Sequence, residues 1–525
     1  MTSQRSENEH VARAAGVVGS ATFLSRLLGY VRDAVIAWLF GAGASADAFF
    51  VAFRIPNVLR RMFAEGSFGV AFVPVFTETL QKKGKAEALK LARATLLFVS
   101  VLLTGIVTAG VLFAPAIVKI VGPGFGDDPV LFALTVHLTR IMFPYILFIG
   151  LVAVCMGILN VFGHFAAPAL APVALNLSII AAALVISPRL EQPVVGLAVG
   201  VVTGGVLQLL VQIPFLWRVE MGIGRRLVFF HDGMKKMGKL MLPAIFGAAV
   251  YQINLLINTQ LATLLPAGSV SYLYYADRLV QFPLGIVGMA AATALLPSLS
   301  RQALAGDLPA VKKTFGYSVK LVMFITIPAM FGLILLREPI VSLLFKRGAF
   351  DTDAVRLTAS ALLYYACGLW AVTMARLAAQ TFYALQDTKT PVRAATASIV
   401  VNIVCGLIFM RAMGHAGLAL ATTVAAAVNV ALLFLAMRVK LGALGMTGIS
   451  VAAAKAVGCS LVMCAGISLL RPQVAGGEAL STVSTAAGLG LSIAVGAILY
   501  FAMAFLVRCD EMKALIKMIG VRRKA

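Results

Sequence analysis

Long apolar runs alternate with short polar segments through most of the 525 residues. A run of about 20 apolar residues is what a helix needs to cross a bilayer. Fourteen such stretches can be marked, at 16–40, 46–79, 94–118, 131–156, 165–186, 194–217, 240–264, 271–299, 314–336, 357–384, 391–410, 416–437, 448–470 and 482–507. None has the two-residue alternation of a membrane barrel strand. The pattern predicts an all-α membrane protein with fourteen transmembrane helices. Composition agrees, with 61% hydrophobic and 12% charged residues and a mean hydropathy of +0.96. A soluble domain is nearer half apolar and a quarter charged, so a soluble enzyme is excluded. The polar start MTSQRSENEHVARAAG, followed by a stretch broken by Arg26, Arg32 and Asp33, lacks the unbroken core of a cleaved signal peptide.

Charge then sets the orientation. The chain has 44 Lys and Arg against 21 Asp and Glu, a net +23, which on a soluble face would point to nucleic acid. With the amino terminus inside, cytoplasmic segments hold 26 basic residues and outer segments 8. The positive-inside rule therefore puts both termini in the cytoplasm, and the basic balance becomes topology. No nucleic-acid partner is expected, while the inner loops would attract anionic membrane lipids.

The chain also resembles itself at a register near 223 residues. Pro74 faces Pro297, Leu134 and Thr135 face Leu357 and Thr358, and Pro168 faces Pro391, each pair 223 apart; Pro115 with Pro339 and Gly124 with Gly348 are 224 apart. The repeat holds six spans, an even number, so both copies enter the membrane in the same sense. Such parallel halves are a transporter arrangement. The expected organisation is an N-terminal lobe at 1–220, a C-terminal lobe at 221–440, and a segment at 441–525 with spans 13 and 14 and a basic cytoplasmic tail. That helical hairpin would serve as lipid-facing packing or as a surface for a long lipid tail.

Ten basic residues lie inside spans, where a lipid-facing charge is costly. Arg140, Lys320 and Lys455 are close enough to span ends to snorkel. The unusual charges concentrate in spans 1, 2 and 8. In FLSRLLGYVRD, Arg26 and Asp33 are seven residues apart, as are Ser25 and Arg32, so each pair shares a helix face and an Arg26–Asp33 ion pair is expected. In span 2, Arg54, Arg61 and Glu65 share a face, with Arg60 to the side. At 34 residues this span would exceed about 50 Å if straight, so it must bend or protrude. Pro56, Gly66, Gly69 and Pro74 are the available breaking points. In span 8, Asp277 and Arg278 are adjacent and point about 100° apart.

Six arginines (Arg26, Arg32, Arg54, Arg60, Arg61 and Arg278) thus face four acids (Asp33, Asp47, Glu65 and Asp277). Guanidinium stays protonated when desolvated and binds phosphate oxygens through its planar fork. The arginines are read as an anion-binding set converging on one wet cavity, and the cargo as phosphorylated. Ser25 and the four acids are assigned to gating or ion pairing. From residues alone the reading is an anion-handling transporter and not an enzyme. Drug-cation exporters would place acids in such a cavity, and a glycosyltransferase would want acidic metal ligands in a sizeable loop. The outer acids, Asp127/Asp128 and Asp351/Asp353, sit in short loops as turn and cap residues.

The runs SRLLGYVRD, GAGASADAFFVAFRIPNVLRRMFAEGSFGVAFVP and SVSYLYYADRLVQFPLGIVG, with PGF at 123–125, resemble the MurJ-type, or MviN-like, lipid II flippases of bacterial peptidoglycan synthesis. The likeness covers nearly the whole chain. It implies a transporter of the multidrug, oligosaccharidyl-lipid and polysaccharide exporter class. Such a transporter has two six-helix lobes, a cationic cavity and a tail groove at spans 13 and 14. The family's arginines match Arg26, Arg32, Arg60 and Arg278, and its acids match Asp33, Asp47 and Glu65. The implied cargo is lipid II, an undecaprenyl-pyrophosphate-linked disaccharide-peptide, moved by a monomer in the bacterial inner membrane. The alternatives are a flippase for another polyprenyl-pyrophosphate oligosaccharide, or a multidrug exporter. No cofactor is implied and no GxxxxGK[ST] nucleotide loop occurs, so the membrane potential is the expected energy source. Some family members have a sodium site of acids and amides. Spans 7 and 11 here offer Asn254, Asn258 and Asn402 without an acid, which leaves Na+ or H+ coupling open.

Overall fold

The computed structural model describes residues 2–61, 68–221, 229–474 and 482–512; side chains at 2–15, 243–244, 246–251, 286–296, 470–474 and 482 are outside that description. All regular elements among the described residues are helical. In chain order they are α1 (Thr2–Phe40), α2 (Ala44–Arg60), α3 (Phe68–Leu112), α4 (Ala114–Val121), α5 (Pro129–Met142), α6 (Tyr145–Val161), α7 (Ala166–Ala181), α8 (Val194–Leu210), α9 (Ile213–Arg218), α10 (Asp232–Thr263), α11 (Ser269–Leu304), α12 (Leu308–Leu335), α13 (Arg337–Phe345), α14 (Thr352–Cys367), α15 (Leu369–Ala384), α16 (Lys389–Met413), α17 (His415–Leu441), α18 (Met446–Val474) and α19 (Thr482–Leu506). Among the described residues, the predicted apolar stretches fall on this helical structure. By length and apolarity alone, nine described helices or helix pairs would span a membrane, or ten if α14 and α15, bent by 42°, form one span. Expected spans 1, 2, 7 and 8 fall outside this count: α1 carries Arg26, Arg32 and Asp33 within its apolar run, α2 has only 17 residues, and α10 and α11 each contain side chains outside the description. Helix α3 joins two helices across a kink at Gly84, φ 84°.

The helix boundaries follow local chemistry. Asp128 accepts from the amides of Val130 and Leu131 at the start of α5, and Asp351 accepts from Ala354 at the start of α14. These are N-caps, the role expected of both, and they stand 223 residues apart. The same interval separates the starts of α4 and α13 (114 and 337), of α5 and α14 (129 and 352), and of α7 and α16 (166 and 389). The weak repeat in the sequence is therefore a repeat of helix boundaries.

By packing, the chain forms two compact units: Met1–Ser271 with Arg347–Phe350, and Tyr272–Lys346 with Asp351–Ala525. In the first, Phe68, Phe72 and Phe76 stack at 5.1 Å intervals in the gap left by Gly157 on α6, where a Cβ would meet the Phe72 ring at 2.7 Å. On α8, Gly196, Gly200 and Gly204 repeat every four residues and admit α7 and the turn after it. A Cβ on Gly200 would lie 2.8 Å from that of Ala182, and Ser178 donates to the Gly200 carbonyl at 2.9 Å. Small residues at this spacing let membrane helices approach closely. Helix α10 belongs to the first unit by contact, although the repeat assigns it to the second half. Lys236 pairs with Glu78, and His231, which caps α10, meets Glu87 at 3.2 Å. In the second unit, the α18–α19 hairpin packs on α12 and α13 through Phe324, Leu336, Met463 and Ala504, and the Tyr500 hydroxyl donates to the Phe324 carbonyl at 2.7 Å. Its other face exposes Leu461, Leu491, Ile498 and Phe505.

Candidate functional site

The charged face of α1 is a built structure. Arg32 and Asp33 are buried, 8% and 0% exposed, in the middle of an apolar helix, and such charges need partners. Arg32 donates Nε and Nη2 to Asp33 Oδ1 at 3.0 and 2.6 Å, and Nη1 to Asn176 Oδ1 on α7 at 3.0 Å. The Asn176 amide in turn donates to the carbonyl of Ser25 at 3.0 Å. Ser25 and Arg32 share a face as their spacing requires, and Asn176 reads both. The ion pair differs from expectation. Asp33 takes the adjacent Arg32, while Arg26, seven residues away on a common face, is exposed at the surface of α1. The long Arg32 side chain folds back along the helix to reach its neighbour, a pairing that helical periodicity does not favour.

Asp47 is also differently employed. It is 2% exposed in the first turn of α2, and its carboxylate accepts from the Gly268 amide at 2.6 Å, the Ser271 amide at 2.8 Å and the Ser271 hydroxyl at 2.5 Å. It caps the start of α11. A carboxylate there satisfies open amides and faces the positive helix end, so it neutralises no arginine.

On α2, Arg54, Arg60 and Arg61 are half-buried. Arg60 donates Nε and Nη2 to Asn57 Oδ1 at 3.1 and 2.9 Å, a neutral partner one turn back on the same helix. Glu65 and Gly66 lie outside the described residues. Asp277 and Arg278 are half-buried on α11, in the second unit, where Gln281 donates to Asp277. The structure thus brings Ser25, Arg32 and Asp33 together on α1. Arg54, Arg60 and Arg61 lie along α2, and Asp277 and Arg278 along α11.

Sequence reasoning did not select Asn57, Asn176, Ser271 or Gln281. The available signal was a polar side chain inside an apolar span, clearest for Asn176 in PVALNLSII. Two of the residues expected to snorkel meet carbonyls at helix ends: Arg140 donates to the Val111 carbonyl at the end of α3 at 3.3 Å, and Lys455 to that of Val507, just after α19, at 3.4 Å. Among the described residues no group of three or more His, Cys, Asp or Glu is placed to hold a metal.

An all-helical membrane protein with repeated helix boundaries and arginines set into its leading helices belongs structurally with transporters. A profile of the family Lipid II flippase MurJ matches residues 36–489. The probable lipid II flippase MurJ of Vibrio cholerae serotype O1 is 42% identical over 434 residues, 81% of this chain and 83% of its own. The lipid II flippase MurJ of Burkholderia cenocepacia is 40% identical over 432 residues, with the same coverage. The chain belongs to the MurJ lipid II flippase family. A solved structure of lipid II flippase MurJ in an inward closed conformation matches with a TM-score of 0.79 at 26% identity, over 94% of this chain and 99% of that one. An inward-facing multidrug resistance transporter of the MATE family, in the MOP superfamily, shares the fold, with a TM-score of 0.67 at 19% identity, over 82% of this chain and 99% of that one.

Proposed function

We propose that this protein moves lipid II from the cytoplasmic to the outer leaflet of the bacterial inner membrane by alternating access, without chemical conversion of the cargo. Its relatives carry that name, and one observation on the chain itself supports the chemistry. Between residues 16 and 61 stand Arg26, Arg32, Arg54, Arg60 and Arg61 against Asp33 and Asp47, and Asp47 is committed to the start of α11. Asp33 holds Arg32, so positive charge remains in excess along α1 and α2. A pyrophosphate is the complementary group, because fork-shaped guanidinium donors match its oxygens. In this reading Arg26, Arg60 and Arg278 meet the head group, with Arg54 and Arg61 adding field. Arg32 is kept in place by Asp33 and Asn176. The sequence repeats form two lobes, both termini are cytoplasmic, and the α18–α19 hairpin offers its exposed apolar face to the undecaprenyl tail. The protein works as a monomer.

An inside-negative potential acts on charge at about 2.3 kcal/mol per unit charge per 100 mV. It favours outward movement of an anionic cargo and inward return of an emptied cationic site. The test uses proteoliposomes. Lysine at Arg26, Arg60 or Arg278 should impair flipping nearly as much as alanine, since ammonium keeps the charge and loses the fork. Full activity of all three lysine variants would remove the recognition mode, and undiminished flipping after collapse of the potential at constant sodium and pH would remove the energy source.

A further inference from the structure

Two loops that repeat one another hold the ends of two helices that repeat one another. Helices α1 and α10 end at Phe40 and Thr263, 223 residues apart, and the glycines Gly124 and Gly348 are 224 apart. Gly124 sits on the last turn of α10. Its amide donates to Thr263 Oγ1 at 3.3 Å, and a Cβ there would fall on the Thr263 carbonyl. Beside it, Gln260 donates to the Ile120 carbonyl at 2.7 Å. Gly348 sits in the same way on the last turn of α1. It has φ +54°, and a Cβ would fall on the Trp38 carbonyl and indole, while the Ala349 amide donates to the Trp38 carbonyl at 2.9 Å. Gly41, φ +61°, completes the fit, since its Cβ would meet the Ala349 carbonyl carbon at 3.0 Å.

The loop of the first repeat therefore holds the leading helix of the second, and the loop of the second holds the leading helix of the first. All four pieces lie in the first compact unit, and Arg347–Phe350 belongs to it although the chain on either side belongs to the second. The contacts named here run mostly through backbone atoms. Glycine gives them their close approach, and positive φ at Gly41 and Gly348 is a conformation that other residues adopt at a cost. A hydrogen bond contributes only modestly to net stability, so bonds of this kind define a position and can still be exchanged.

We propose that these contacts are reciprocal straps at the extracytoplasmic ends of α1 and α10, released and re-formed together in each transport cycle. This rests on the alternating-access reading above. Because each strap joins one repeat to the other, parting the repeats at that end must open both, whereas movement confined to the cytoplasmic end leaves both closed.

The test places cysteine pairs at Ile120→Cys with Gln260→Cys, and at Trp38→Cys with Ala349→Cys, in full-length protein whose native cysteines are replaced. A short bifunctional methanethiosulfonate reagent closes each strap reversibly. Either cross-link should lower lipid II flipping in proteoliposomes by roughly tenfold or more, since it removes one of two required states. Dithiothreitol should restore it, and single-cysteine variants should not respond. Cross-linked protein that flips at the parent rate overturns the proposal. A second readout needs no cargo: Gly348→Val, which spoils only the α1 strap, should speed labelling of Gln260→Cys on the other strap by an impermeant maleimide. Unchanged labelling overturns the reciprocity. If the reduced protein fails to flip lipid II at all, the cargo assignment fails, and the labelling arm still decides the strap.

Discussion

Replacing Asp47 by alanine removes one carboxylate and strands three donors: the amides of Gly268 and Ser271 and the Ser271 hydroxyl, held at 2.5 to 2.8 Å. At 2% exposure water has little access to them. Each buried donor left without an acceptor costs about 1–3 kcal/mol, and loss of a negative charge at a helix start adds about 0.3–1 kcal/mol. Partial relaxation brings the expected loss to about 3–4 kcal/mol. Asp47→Asn retains one acceptor oxygen but turns an amide donor toward one of the stranded N–H groups, so about half of that loss should remain. Ser271→Ala removes one hydrogen bond and should cost about 1 kcal/mol. In the double variant the hydroxyl is no longer stranded, so the two losses should fall short of additive by about 1 kcal/mol. The assay is reversible unfolding by SDS in mixed micelles, followed by tryptophan fluorescence. An Asp47→Ala midpoint equal to that of the parent, or strict additivity with Ser271→Ala, would refute the capping argument.

Gly200→Val should separate α7 from α8, because the new Cβ would lie 2.8 Å from the Ala182 Cβ and 3.0 Å from the Ile179 Cα. A loss of about 1–3 kcal/mol is expected, measured by the same unfolding, with Gly105→Ala, which meets nothing within 4 Å, as the unaffected control. Asp387, in the loop before α16, is held down to about 2 by the Thr390 amide first and then by Lys440. A depressed carboxylate stabilises the fold above its unfolded value, near 4, and loses that contribution as pH falls toward 2. Hydrogen-exchange protection at 388–390, measured against the intrinsic rate at each pH, should therefore fall between pH 4 and 2 in the parent, and Asp387→Asn should abolish that dependence. Tyr500→Phe deletes the 2.7 Å bond to the Phe324 carbonyl and should cost about 1 kcal/mol; an unchanged midpoint would remove this anchor of the α18–α19 hairpin.

What could be read from the chain follows from what local sequence encodes. Hydropathy located the helical stretches, because membrane length fixes their period. The acids at 128 and 351 were legible as caps, because a cap acts within three residues. The repeat was visible at a few prolines and glycines, which mark helix boundaries. Partnerships across the fold were not legible. Arg32 meets Asn176 across 144 residues, and Asp47 meets Ser271 across 224, and no periodicity records either. For the same reason the pairing of Asp33 with Arg26 failed: face-sharing limits which residues can meet, and a third group, Asn176, fixed where Arg32 lies. Span 2 falls on α2 and the start of α3, and the residues between them, with the break expected at Gly66, lie outside the described residues.

The most direct measurement of the central claim is a leaflet assay in vesicles containing only this protein. Lipid II and an unrelated undecaprenyl-linked sugar are each loaded in the inner leaflet, with an inside-negative potential imposed. Lipid II should reach the outer leaflet at a rate that depends on the protein and falls in the Arg60→Ala variant, while the unrelated lipid stays behind. Equal movement of both lipids would contradict specificity for lipid II, and movement of neither, in protein shown to be folded, would contradict the function itself.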